Sequence, residues 1–200
     1  LSDASVVYDQ ADGKTVKKVA ELFAGDIRRV TGKDAEMQAD MPESGVVVLL
    51  GTADGNQWIR QLAENGKIDV SPLEGGTERF MLKQVKNPFP GVDEALVIAG
   101  SDRRGVAYGA FTLSEEMGVS PFYWWADVPV RRMDKVMVKA DYVSAPPSVK
   151  FRGIFLNDED WGLNPWAAKT YEKELGNIGP KTYAKVCELV LRLKGNMLAP

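Results

Sequence analysis

The stretch of this sequence best equipped for chemistry is Asn157-Asp158-Glu159-Asp160. It follows Lys150 to Leu156, a largely apolar run that reads as a strand, and precedes a loop carrying Trp161 and Trp166. Three consecutive acids are unfavourable at a strand end unless they are solvated or used. A pair of carboxyl groups can divide general-acid and general-base work, the division on which glycoside hydrolysis depends. In that role Asp158 and Glu159 are the candidate catalytic groups. The Asn157 amide can hydrogen-bond a sugar hydroxyl, and Trp161 can offer a ring face to a substrate. A solvated loop, or a helix cap over Asp158 to Asp160, accounts for the spacing about as well. The two tryptophans tilt the balance toward sugar.

The remaining composition narrows the chemistry. The chain has no histidine, which excludes a Ser-His-Asp triad, a Cys-His pair and any His-ligated zinc within these residues. A metal site made of carboxylates alone stays open, but no calcium-loop spacing appears. The single cysteine, Cys187, forms no internal disulfide and reads as a small buried hydrophobe on a helix. Net charge is −3, and the pairs Lys17-Lys18, Arg28-Arg29, Arg103-Arg104 and Arg131-Arg132 are scattered, so no nucleic-acid surface is expected. No run approaches the roughly 18 apolar residues of a membrane helix. No signal peptide is visible, and a chain opening on Leu1 implies an upstream segment removed or left out.

The elements that must position the acidic stretch fall into two parts. Ser5 to Tyr8 reads as a strand, Asp12 as a cap, and Gly13 to Thr31 as a helix with Val16, Val19, Ala20, Phe23, Ile27 and Val30 on one face. Gly32 stops it. A weak strand is expected at Ala35 to Gln38 and a buried one at Gly45 to Leu50. A short helix with Trp58, Ile59 and Leu62 inward follows, then strands at Glu78 to Lys86 and Ala95 to Ala99. Ser101 or Asp102 can cap a helix running to about Met117, where Gly105 and Gly109 permit close packing on a sheet. Phe122 to Trp125 and Lys135 to Lys139 complete the expected strands. The class is α/β, with helices flanking a mixed sheet.

Ser144-Ala145-Pro146-Pro147-Ser148 marks the boundary, because two prolines stop helix and central strand alike. The expected domains are 1–145, an α/β domain, and 146–200. The second part reads as strand, long loop, a helix over Lys181 to Lys194 with Tyr183, Val186, Cys187, Val190 and Leu193 inward, and a further strand from Asn196. That is one βα unit plus a beginning, far short of the roughly 250 residues of a (β/α)₈ barrel. It reads as the start of a barrel that this chain does not complete.

Three other motifs invite functional readings. Gly51-Thr52-Ala53-Asp54-Gly55 lacks both phosphate-loop patterns and reads as a plain turn. Ser101 to Gly105 could bind an anion at a helix start, but Asp102 already fills that place. Pro121-Phe122-Tyr123-Trp124-Trp125 could stack on sugars, although strand alternation would bury two of its four rings in any case. Core or interdomain packing is the favoured role.

Longer motifs carry a resemblance. Leu96 to Gly105, Tyr108-Gly109, Gly118 to Pro121, Tyr123 to Pro129, Pro146 to Glu159 and Leu191 to Asn196 together resemble glycoside hydrolase family 115, the xylan α-1,2-glucuronidases, in its N-terminal portion. The resemblance is specific from about Ala95 onward and a matter of pattern before it. It implies a secreted or periplasmic enzyme, bacterial or fungal, with an α/β domain ahead of a TIM-barrel catalytic domain. It implies removal of glucuronic acid or its 4-O-methyl ether from xylan or glucuronoxylan oligosaccharides by an inverting mechanism, without a cofactor. Asn157, Asp158 and Glu159 match the family's pocket-lining acidic segment, and the uronate-holding basic residues would lie beyond Pro200, in the remainder of the parent chain. Glu159-Asp160-Trp161-Gly162 departs from a shorter, alanine-rich version, which leaves the exact glycan open; a homodimer also stays open. The alternative is a non-catalytic carbohydrate-binding or structural accessory domain.

Overall fold

The computed structural model describes residues 1–138 and 140–199. The chain divides into two compact units, Leu1–Pro147 and Ser148–Pro200.

The first unit is a six-stranded mixed sheet between helices. Its elements are β1 (Ser5–Tyr8), α1 (Lys14–Thr31), β2 (Met37–Gln38), β3 (Gly45–Thr52), α2 (Gln57–Glu64), β4 (Phe80–Lys86), β5 (Val92–Gly100), α3 (Arg103–Glu116) and β6 (Asp141–Val143). The strand order is β2-β1-β3-β5-β4-β6. The first four run parallel, while β4 lies antiparallel to both β5 and β6. The apolar run Val47-Val48-Leu49-Leu50, buried at every position, suits β3 to its central place, since a strand covered on both faces needs apolar residues at successive positions. Alternation sends Val47 and Leu49 into a core with Val7, Val97, Ala99, Met81 and the α2 residues Ile59 and Leu62. Val48, Leu50 and Ile98 are fully buried at the alternate positions, and α1 and α3 pack on the sheet and on each other. Each such side chain contributes roughly 1.5–3 kcal/mol relative to exposure.

Glycine sets how closely α3 approaches the sheet. A Cβ on Gly109 would stand 2.8 Å from Ile98 Cγ2, and one on Gly105 would stand 2.1 Å from the Arg79 carbonyl oxygen. The turn before α3 is structural. Asp102 accepts from the N–H groups of Gly105 (2.8 Å) and Glu78 (2.9 Å), and Arg104 Nε pairs with Glu78 Oε1 at 2.8 Å.

Three sequence expectations are corrected. Asp12 does not cap α1. It closes a one-turn 3₁₀ helix, Gln10–Asp12, and its buried carboxylate accepts from the Thr52 N–H (2.6 Å) and Oγ1 (2.5 Å), tying the end of β1 to the end of β3. Phe122 to Trp125 is a series of turns, with Tyr123 N–H donating to Ser120 O and Ala126 N–H to Phe122 O. None of its four rings is fully buried: Trp124 packs edge-on to Trp125, and the Arg29 guanidinium lies 4.5 Å over Tyr123. Of the strand expected at Lys135 to Lys139, residues 135–138 form no strand and Lys139 lies outside the described residues. The edge of β4 bonds instead to Ala140 and to β6.

Burial of Asp12 raises its pKa above the usual aspartate value, aided by the nearby Asp9 and Asp54 carboxylates, and the Thr52 hydrogen bonds only partly oppose this. A raised folded-state pKa means stability that is full at acid pH and lost as pH rises through the titration. Asp12→Asn keeps an oxygen for the Thr52 N–H and removes the charge. The variant-minus-wild-type difference in melting temperature should therefore be more positive at pH 8 than at pH 4. A difference that does not change with pH would show that Asp12 is not a buried charge.

The second unit is strand β7 (Gly153–Phe155), a short helix α4 (Leu163–Trp166), a five-residue π turn (Ala167–Tyr171), helix α5 (Pro180–Arg192) and strand β8 (Met197–Ala199). β7 and β8 are parallel, in register Gly153↔Met197, Ile154↔Leu198 and Phe155↔Ala199. The chain is thus an α/β domain with a mixed sheet, followed by one parallel βαβ unit.

Candidate functional site

The acidic stretch is positioned by the way β7 and β8 are clamped at their starts. Arg152 N–H donates to Asn196 Oδ1 (3.0 Å), Asn196 N–H donates back to Arg152 O (2.7 Å), and Asn196 Nδ2 reaches Lys150 O (2.7 Å). Arg152 Nε donates to Lys194 O at 3.0 Å. A Cβ on Gly153 would stand 2.0 Å from the Met197 carbonyl oxygen, so only glycine allows the two backbones this approach. The strand expected over Lys150 to Leu156 is shorter, Gly153–Phe155; ahead of it Arg152 O accepts the Asn196 and Met197 N–H groups, and the Asn196 side chain bonds to Arg152 N–H and Lys150 O.

At the other end of β7 the chain turns. Asn157 Oδ1 accepts the Glu159 N–H (3.3 Å), Asn157 O accepts the Leu163 N–H (3.1 Å), and Gly162 N–H donates to Glu159 O (3.2 Å). A Cβ on Gly162 would lie 2.3 Å from Asn157 O. One closed turn therefore carries all four sequence candidates, Asn157, Asp158, Glu159 and Trp161. They do not share an environment. Asp158 is half-buried and accepts a hydrogen bond from the Tyr183 hydroxyl, whereas Glu159 is exposed and Trp161 is 93% exposed. That bond, with burial and the carboxylate charge behind it, pushes the Tyr183 phenol above the ordinary tyrosine range.

Two groups were missed by sequence reasoning. Tyr183 appeared only as an inward helix residue, and the signal that could have found it was its place in the first turn of the helix that follows the acidic loop. Glu172 drew no attention. It is buried, and its carboxylate accepts from the N–H groups of Gly179 (3.0 Å), Lys181 (3.1 Å) and Thr182 (2.9 Å) and from Thr182 Oγ1 (2.6 Å). Those are the donors that the start of a helix leaves without intrahelical partners. Burial alone would raise its pKa, but these bonds outweigh it and hold the carboxyl below the usual range.

The packed face of α5 is Thr182, Val186, Leu189 and Val190, spaced at three and four. Cys187, expected to be buried, is exposed, and Leu193 is 40% exposed. Cys187 lies a quarter-turn round the helix from Val186, outside the packed stripe. Glu188 and Arg192 are buried as a pair at 2.9 Å, with Lys185 also 2.9 Å from Glu188. Among the described residues no group of three or more His, Cys, Asp or Glu side chains could hold a metal ion, and no helix is long and apolar enough to cross a membrane.

The region from Ser144 to the last residue, 144–200, matches the model of glycosyl hydrolase family 115. The match covers the second unit and Ser144–Pro147 just before it, and leaves the rest of the first unit unmatched. A solved family 115 4-O-methyl-α-glucuronidase with specificity for decorated arabinogalactans is similar over 98% of this chain, at 33% identity and a TM-score of 0.81. The likeness therefore extends beyond the family 115 segment into the first unit. This chain spans 24% of the length of that relative. A family 20 β-N-acetylhexosaminidase from Streptomyces coelicolor A3(2) is similar in fold, at 14% identity and a TM-score of 0.52 over 99% of this chain and 30% of its own. No curated protein matches the sequence. The family 115 segment contains the whole acidic turn, Tyr183 and Glu172.

Proposed function

We propose that this chain supplies one wall of the catalytic pocket of an enzyme that removes glucuronic acid, or its 4-O-methyl ether, from xylan by an inverting mechanism. The observation that carries this is the placement of Asp158. It stands at the C-terminal end of β7, in the family 115 segment, half-buried and hydrogen-bonded by Tyr183. In barrels built of βα units, the C-terminal ends of the strands carry the chemistry. Asp158 acts as a working carboxylate, with the exposed Glu159 beside it. The Asn157 amide donates to a sugar hydroxyl, since its oxygen already holds the turn. Trp161 lies against a sugar ring. A polymeric glycan does not cross a membrane unaided, so the enzyme acts after secretion or in the periplasm.

Inversion needs two carboxyl groups about 6.5–9.5 Å apart on opposite sides of the bond. Asp158 and Glu159 are consecutive on one turn, so the opposite group and the cations that hold the uronate come from elsewhere in a longer protein. The test follows from that division. The 200-residue chain alone should release no glucuronic acid from glucuronoxylan or from decorated arabinogalactan. A polypeptide carrying this chain with a complete barrel should release it. Release by the isolated chain at the rate of the longer protein would overturn the proposal.

A further inference from the structure

We propose that Tyr183 is a positioning residue, whose hydroxyl donates to Asp158 and fixes that carboxylate in one orientation beside the end of β7. This rests on the reading of Asp158 as a working carboxylate and adds the group that aims it.

The physical case begins with what an aspartate on a turn does without a partner. Its side chain samples several staggered rotamers, and only one places the carboxylate for reaction. Catalysis is sensitive to such freedom, because reacting groups must be held within a few tenths of an ångström. Glu159 and Asp160, next in the same turn, are exposed. Asp158 differs from them in being tied to an element outside the turn, through the Tyr183 hydroxyl.

The tie is only as good as its anchor, and Tyr183 is well anchored. It lies in the first turn of α5, and Tyr183 N–H donates to Gly179 O at 3.1 Å. That turn is fixed from below by Glu172, which binds Gly179, Lys181 and Thr182 together. Thr182, its neighbour, is fully buried. A rigid aromatic side chain on a capped helix start has little freedom of its own. The loop between β7 and α5 is therefore held to the same helical turn at two places, by Asp158 on Tyr183 and by Glu172 on the backbone. The raised titration of Tyr183 agrees with a phenol whose proton is shared with a carboxylate.

The experiment uses the polypeptide with a complete barrel and a xylo-oligosaccharide bearing one 4-O-methylglucuronic acid. Tyr183→Phe should lower kcat about tenfold, the size of one hydrogen bond to a charged group expressed as a rate, and leave KM within about twofold. A structural role alone would not split kcat from KM in this way. Unchanged kcat in Tyr183→Phe, with Asp158→Asn inactive, overturns the positioning role and leaves the functional proposal standing. Full activity in Asp158→Asn overturns both. Independently of activity, the Tyr183 ring-carbon resonance in the 200-residue chain should titrate at lower pH in Asp158→Asn than in wild type. Identical titration would overturn the hydrogen bond itself.

Discussion

Asp158→Asn, in a polypeptide that carries a complete barrel, is expected to lower kcat for glucuronic acid release about 10³-fold, within the range that one general acid or base contributes. The substitution is nearly isosteric. Its carbonyl oxygen still accepts from Tyr183, so the turn of Asn157 to Leu163 and the start of α5 keep their hydrogen bonds. What is lost is the ability to take up or hold a proton. Glu159→Gln, on an exposed side chain, is expected to cost less. Initial rates on a decorated xylo-oligosaccharide give the effect, and circular dichroism separates it from misfolding. A folded Asp158→Asn protein within twofold of the parent would remove Asp158 from the chemistry.

The second large effect concerns stability. Gly105→Ala is expected to destabilise the first unit by about 3 kcal/mol, at the upper end of the cost of forcing extra volume into a packed site. In a helix with open space the same change would stabilise by about 1 kcal/mol through propensity. Here the added carbon would meet the Arg79 carbonyl oxygen at 2.1 Å, and Arg79 leads directly into β4, so backbone on both sides would have to move. Gly25 is the control. It lies mid-way along α1, where an added Cβ meets only the end of the Arg29 side chain, at 3.1 Å. Gly25→Ala should be neutral or stabilising in the denaturant titration that reveals the loss in Gly105→Ala. Equal stability of the two variants would show that α3 can move away from the sheet at little cost.

Much of the fold was legible because it rests on periodicity. The face Val16, Val19, Ala20, Phe23, Ile27 and Val30 is the buried face of α1, and the unbroken run from Val46 became the central strand. The strands expected at Glu78 to Lys86 and Ala95 to Ala99 are β4 and β5, which pair antiparallel. Failures came where a side chain outcompeted the backbone pattern. Asp12 has the chemistry of a cap, but Thr52, 40 residues away in sequence, offered it two donors. The aromatic run at Phe122 alternates nothing, because Ser120 starts a turn that draws in the backbone of Tyr123. The candidate site divided the same way. Local sequence placed Asn157, Asp158, Glu159 and Trp161 on one turn, but which carboxylate would be gripped depended on Tyr183, 25 residues further on.

The clamp between Arg152 and Asn196 has a consequence for how such a protein can change. It sets the alignment of the two strands from their entrances, through bonds that do not involve the 157–179 connection. Insertions, deletions or wholesale rewriting of that connection would leave the strands in step. A lineage could thus rebuild the loop at the C-terminal end of β7 while the two strands beneath it keep their places.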